Sequence, residues 1–154
     1  MDLGHLLRLD GVIPAVRAVS KKQVLQEIAG RAGRLTGLSD REIFEMLQRR
    51  ERLGSTGVGH GIAIPHAAMP GLDETVGVFA RLVRPIDFEA IDDHPVDLIF
   101  TLLSPEGAGA DHLKALARVA RVLRDPTFTA KLRASHDEAA LYALLAHSLP
   151  AHAA

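Results

Sequence analysis

Two early stretches of the chain carry apolar residues at three- and four-residue spacing. Val24, Leu25, Ile28, Ala29 and Ala32 form one stripe, which predicts a helix. Ser20 stands three residues before Gln23, the spacing of a capping box, and marks its start. Ser39 and Glu42 repeat the device ahead of Ile43, Met46 and Leu47, and the next position on that stripe is Arg50. Periodicity then vanishes. Residues 54–61 read Gly-Ser-Thr-Gly-Val-Gly-His-Gly, predicting a loop with little regular structure. Ile62, Ala63 and Ile64 predict a short strand stopped by Pro65. Residues 76–82 and 96–103 predict two more strands, and the second is apolar enough to be central in a sheet. After a loop over 104–110, a helix is expected over 111–124, with Leu113, Leu116, Ala120 and Leu123 on one side. Asp125-Pro126 gives an N-cap with proline at the first helical position, opening a short helix to 133. Ser135 and Glu138 form a third capping box for a last helix to 147. Residues 3–19, interrupted by Gly11 and Pro14, read as an irregular or strand-forming lead-in, and the tail from Pro150 is expected to fray.

Interleaved helices and strands imply an α/β or α+β sandwich. The chain of 154 residues, 47% hydrophobic and 24% charged, suits one domain with its own core. A formal net charge of −1 gives no sign of a nucleic-acid surface. Having no cysteine removes disulfides, thiolate nucleophiles and Cys-ligated zinc from consideration. Neither a signal peptide nor an apolar run of bilayer length is evident, so a soluble cytoplasmic protein without membrane insertion is expected.

The candidate chemistry lies between residues 50 and 66. His66 follows a short apolar strand and Pro65, whose fixed φ stiffens the delivery of the ring. Neutral imidazole is a competent nucleophile near neutral pH. Upstream, Ser55, Thr56, Gly57 and Gly59 could offer backbone N–H groups to an anion. Arg50 occupies the inward stripe of its helix, a costly place unless an anion meets it. His112 falls in the first turn of the helix over 111–124, where the dipole favours anions. Each residue has a plainer reading: a loop histidine satisfying backbone groups, an arginine snorkelling from a helix end, a packed structural histidine. A metal-dependent hydrolase drawing on His60, His66, His94 and His112 is a further rival, although histidine pairs at helical metal spacing are missing.

The run Arg50-Glu51-Arg52-Leu53-Gly54-Ser55-Thr56, continuing to Ile64-Pro65-His66, resembles the active-site stretch of the fructose/mannitol family of phosphotransferase-system IIA domains. Residues 87–98 and the segment Asp111-His112-Leu113-Lys114 are similar to its nitrogen-regulatory branch. The resemblance covers about residues 3–147 and implies one IIA domain across 1–154, a mixed sheet flanked by helices on both faces. It implies that His66 is the phosphorylated histidine, Arg50 the active-site arginine and His112 the second active-site histidine, all at the family spacing. It further implies a phosphoryl carrier charged by a nitrogen-type HPr phosphoprotein, needing no metal or cofactor. Its regulatory targets would be such proteins as potassium transport proteins or sensor kinases. A sugar-specific IIA passing phosphate to a IIB partner, and a pure regulator without onward transfer, are the alternatives. Two positions depart from the family pattern: Ala67 replaces the usual glycine, and His60 the common asparagine. Ala67 requires a backbone conformation open to non-glycine residues, and His60 suggests an altered partner preference or pH response.

Overall fold

In the lead-in, the computed structural model has a 3-10 turn at Leu9–Gly11, followed by β1 (Val12–Val16). The residues described are 6–149, so the start of the lead-in and the tail from Pro150 lie outside them. Next come α1 (Lys21–Thr36) and α2 (Asp40–Arg52), each opened as predicted by a serine that accepts from the backbone N–H three residues on. Four short-to-long strands follow: β2 (Gly57–Gly59), β3 (Ile62–Ala63), β4 (His66–Met69) and β5 (Val76–Ile86). Then come β6 (Val96–Pro105), α3 (Gly109–Leu123), α4 (Pro126–Ala134) and α5 (Glu138–Ser148).

The strands form one mixed sheet in the order β1-β5-β6-β3-β2, with β4 also paired to β6. The apolar β6 is central, as its composition predicts: antiparallel to β5 and parallel to β3 and β4. Its side chains alternate between two cores. Leu98, Phe100 and Leu102 pack with the α3, α4 and α5 layer, whereas Ile99 and Leu103 face α1 and α2. Helices thus cover both faces of the sheet, as the resemblance implies.

Several boundaries differ from expectation, each for a local reason. The glycine-rich stretch is not structureless, because β2 and β3 form a small hairpin. Its two-residue turn is His60-Gly61, with φ of 58° and 82°. Both positive values suit a type I′ turn, where asparagine-glycine is the preferred pair. This explains the asparagine common at position 60 in the family, and histidine is among the other residues that tolerate this region. Strand β3 does stop ahead of Pro65, as expected, but Pro65 does not end pairing with β6. It removes one donor from the ladder, yet its carbonyl accepts from the Leu102 N–H at 2.9 Å and pairing resumes at His66.

Further along, Leu113 is 65% exposed, and the inward stripe of α3 is Ala115, Val119 and Leu123. The cap of α5 is Asp137 rather than Ser135, whose hydroxyl donates back to the Lys131 carbonyl at the end of α4. Strand β5 outruns its predicted end at 82 because the exposed residues 83–85, Val-Arg-Pro, hide the pattern while Ile86 still pairs with Val96.

Thr101 lies on the α1–α2 side of β6 between Ile99 and Leu103, fully buried, and its hydroxyl has no hydrogen-bond partner among the described residues. An unpaired buried hydroxyl is destabilising. Thr101→Val should therefore raise the unfolding free energy by about 1 kcal/mol, read as a higher denaturant midpoint. A lower midpoint would show that the hydroxyl is satisfied in solution.

Candidate active site

The turn after α2 is organised around Glu51, which is 7% exposed and continues the inward stripe of Ile43 and Leu47. A buried carboxylate needs partners, and Glu51 has three. It accepts from the Thr56 N–H at 3.0 Å and from the Thr56 hydroxyl, and it pairs with Lys21 at 3.0 Å. The Lys21 ammonium lies 4.7 Å over the Phe88 ring, tying α1 to the segment after β5.

With that turn fixed, Arg50 reaches from the last turn of α2 to β4. Its Nη1 donates to the Gly54 carbonyl at 2.8 Å and its Nε to His66 Nε2 at 3.3 Å. On the other side of the ring, His66 Nδ1 is 2.9 Å from the Ile64 carbonyl. A guanidinium only donates and a carbonyl only accepts. Both contacts are satisfied by one neutral tautomer, with the proton on Nδ1 and a lone pair on Nε2. The unprotonated nitrogen therefore faces the arginine.

His112 comes from the first turn of α3, its ring centroid 5.4 Å from that of His66 at an interplanar angle of 50°. Its Nδ1 is hydrogen-bonded to the Ser104 hydroxyl. Burial, and secondarily the neighbouring His66, push the His112 pKa below the 6.5 of an ordinary imidazole. Arg50, His66 and His112, widely separated in sequence, thus meet at one end of the sheet.

The residues expected to cradle an anion have other work. Ser55 donates to the Phe88 carbonyl at 2.6 Å and accepts from the Gly57 N–H, while the Thr56 N–H is held by Glu51. Gly57 is needed because a Cβ there would come within 2.7 Å of Ala90 Cβ. Gly59 likewise faces the Asp92 carboxylate. Ser55, Gly57 and Gly59 therefore meet the 87–93 segment, and the amides of Thr56 and Gly57 are already committed. Two of the amides expected in a cradle are thus taken within the loop, which must satisfy its own buried backbone groups first.

The histidines raised for a metal site divide into two pairs. His60 and His94 line a separate groove of about 900 Å³ together with Gly59, Asp97 and Arg133. Among the described residues, no three of His, Cys, Asp or Glu stand together as metal ligands. Ala67, the departure next to His66, sits in extended β4 with its methyl group in the α1–α2 core, so no glycine-only conformation is needed.

Sequence reasoning missed Glu51, Lys21 and Ser104. Glu51 had a signal, an acidic residue on the inward stripe Ile43-Leu47. Ser104 had one too, since strand alternation puts it on the face of Leu102, toward α3.

Residues 5–148 match the family model described as "Phosphoenolpyruvate-dependent sugar phosphotransferase system, EIIA 2". The chain belongs to this family. It is 56% identical over 146 residues to a "Nitrogen regulatory protein" of Bradyrhizobium diazoefficiens, covering 95% of each chain. It is 39% identical over 148 residues to a protein of the same description from Escherichia coli, covering 94% of this chain and 90% of that one. The crystal structure of nitrogen regulatory protein IIA-Ntr from Neisseria meningitidis superposes with a TM-score of 0.87 at 36% identity, covering 92% and 97% of the two chains. Mannitol IIA from Escherichia coli shares the fold, with a TM-score of 0.75 at 18% identity. Among the described residues, no helix is long and apolar enough to cross a membrane.

The depressed His112 pKa fixes a sign for stability. The folded protein releases this proton at a lower pH than the unfolded chain, so between the two pKa values the unfolded state binds more protons. The contribution is fully present above about 6.5 and is lost as pH falls through the folded value. His112→Gln should therefore lose less unfolding free energy than the wild type between pH 7.5 and pH 5, by denaturant titration. An equal loss in both proteins would remove His112 as a source of the slope.

Proposed function

We propose that the protein is a phosphoryl carrier and regulator that accepts a phosphoryl group on His66 Nε2 from a phosphohistidine of a nitrogen-type HPr protein. The observation that carries this reading is the double constraint on the His66 ring. Ile64 holds the proton on Nδ1, and the cationic Arg50 marks the unprotonated Nε2 through its Nε–H.

In the reaction, the Nε2 lone pair attacks phosphorus as the donor's N–P bond breaks. The donor imidazole leaves with that electron pair, and His66 keeps its Nδ1 proton. Phosphoryl transfer passes through a loose transition state, so positioning and charge stabilisation dominate. Arg50 suits both tasks, being permanently charged, planar and already oriented. No hydrogen bond engages its Nη2 among the described residues, which leaves a donor for a phosphoryl oxygen.

The regulatory output rests on the relatives named nitrogen regulatory protein, which match over almost their whole length. A phosphoryl group adds about −1.5 to −2 charges at neutral pH, enough to change which proteins dock at the end of the sheet. Targets such as transport proteins or sensor kinases in the cytoplasm would then read the state of His66.

Incubation with a phosphorylated nitrogen-type HPr should put an acid-labile phosphoryl group on His66, mapped by mass spectrometry and absent from folded His66→Ala. Arg50→Ala should slow transfer about 10²–10³-fold, the usual effect of removing one transition-state donor. Equal labelling of His66→Ala, or an unchanged rate in Arg50→Ala, would overturn the respective assignment.

A further inference from the structure

Ser104 is the penultimate residue of β6 and is 1% exposed. In the parallel register it pairs with Ala68, two residues beyond the His66–Leu102 pair. Alternation therefore puts Ser104 and His66 on the same face of the sheet, the face under α3. From there its hydroxyl meets His112 Nδ1. A second hydroxyl stands behind it, with Thr75 Oγ1 donating to Ser104 Oγ at 3.4 Å.

The hydroxyl chain has a direction. If the Thr75 proton points at the Ser104 oxygen, the single Ser104 proton is free for its other neighbour, His112 Nδ1. A neutral imidazole that accepts at Nδ1 carries its own proton on Nε2. Burial beside His66 favours that neutral form. His66 has already committed both of its nitrogens, to Arg50 and to Ile64. His112 Nε2 has no hydrogen-bond partner among the described residues, though its ring stands 5.4 Å from the His66 ring.

We infer that Ser104, backed by Thr75, is a positioning residue that holds His112 as its Nε2–H tautomer and so presents a hydrogen-bond donor to the phosphoryl group on His66. The inference rests on His66 being the acceptor. A phosphoryl group offers only acceptor oxygens, so the tautomer decides whether His112 attracts or repels it. Without Ser104, Nδ1 can take the proton and turn a lone pair toward the anion. The arrangement corresponds to an outer group fixing the tautomer of a working histidine.

The test reads His112 directly. Long-range proton–nitrogen NMR of the 15N-labelled, unphosphorylated protein should show Nε2 protonated and Nδ1 bare. In Ser104→Ala the two tautomers should mix, and transfer from a phosphorylated nitrogen-type HPr should slow on the order of tenfold, as for other tautomer-fixing partners. Ser104→Thr, which keeps the hydroxyl, should restore both readouts. Thr75→Val, at a partly exposed site, should shift the tautomers the same way by less, and it serves if Ser104→Ala does not fold. A wild-type His112 protonated on Nδ1 would overturn the inference, as would a Ser104→Ala protein that keeps both the tautomer and the full rate. The spectra need no donor, so they decide the tautomer even if the wild type takes no phosphoryl group, an outcome that would instead overturn the carrier reading.

Discussion

The site depends on one imidazole held between partners of opposite hydrogen-bonding character. The Ile64 carbonyl can only accept and the Arg50 guanidinium can only donate, so His66 has one tautomer that satisfies both. The Ile64 carbonyl comes from the same strand interruption that delivers the ring, because Pro65 breaks the ladder between β3 and β4 without breaking their common alignment on β6. Arg50 comes from a different layer, and its reach is set by the end of α2. The geometry of the His66 ring therefore joins the central strand to the α1–α2 face.

That end of α2 is held by a buried charge. Glu51 takes the Thr56 amide and hydroxyl and pairs with Lys21, whose ammonium in turn lies over Phe88. Removing Lys21 would leave the buried carboxylate without its counter-charge, the costly failure for buried ion pairs. The same turn explains the glycine-rich stretch. Gly57 lets Ala90 approach, and the hairpin turn at His60-Gly61 accepts two positive φ values. Gly57 and Gly59 serve close packing of the 87–93 segment.

Much of this was legible in the chain. Helical spacing and serine caps located α1 and α2, and the apolar run of β6 gave its central place. The position of Arg50 after Ile43, Met46 and Leu47 announced a half-buried cation in need of company. What was hidden depended on long-range pairing or on competition between neighbours. The β2–β3 hairpin is too short and glycine-rich to show a strand pattern, and it exists because β3 pairs with β6. Asp137 displaced Ser135 as a cap because both residues can cap and Ser135 closes α4. Leu113 pointed outward because the buried stripe of α3 runs through Ala115, Val119 and Leu123, a face that Leu113 does not share.

The most direct test of the account is to ask which His66 nitrogen receives the phosphoryl group. Nitrogen NMR on the labelled protein, before and after charging by a phosphorylated HPr-type donor, distinguishes the two ring positions. The account predicts a resting ring protonated on Nδ1, then phosphorus bound to Nε2 with the Nδ1 proton still present. A phosphoryl group on Nδ1, or a resting ring protonated on Nε2, would contradict it.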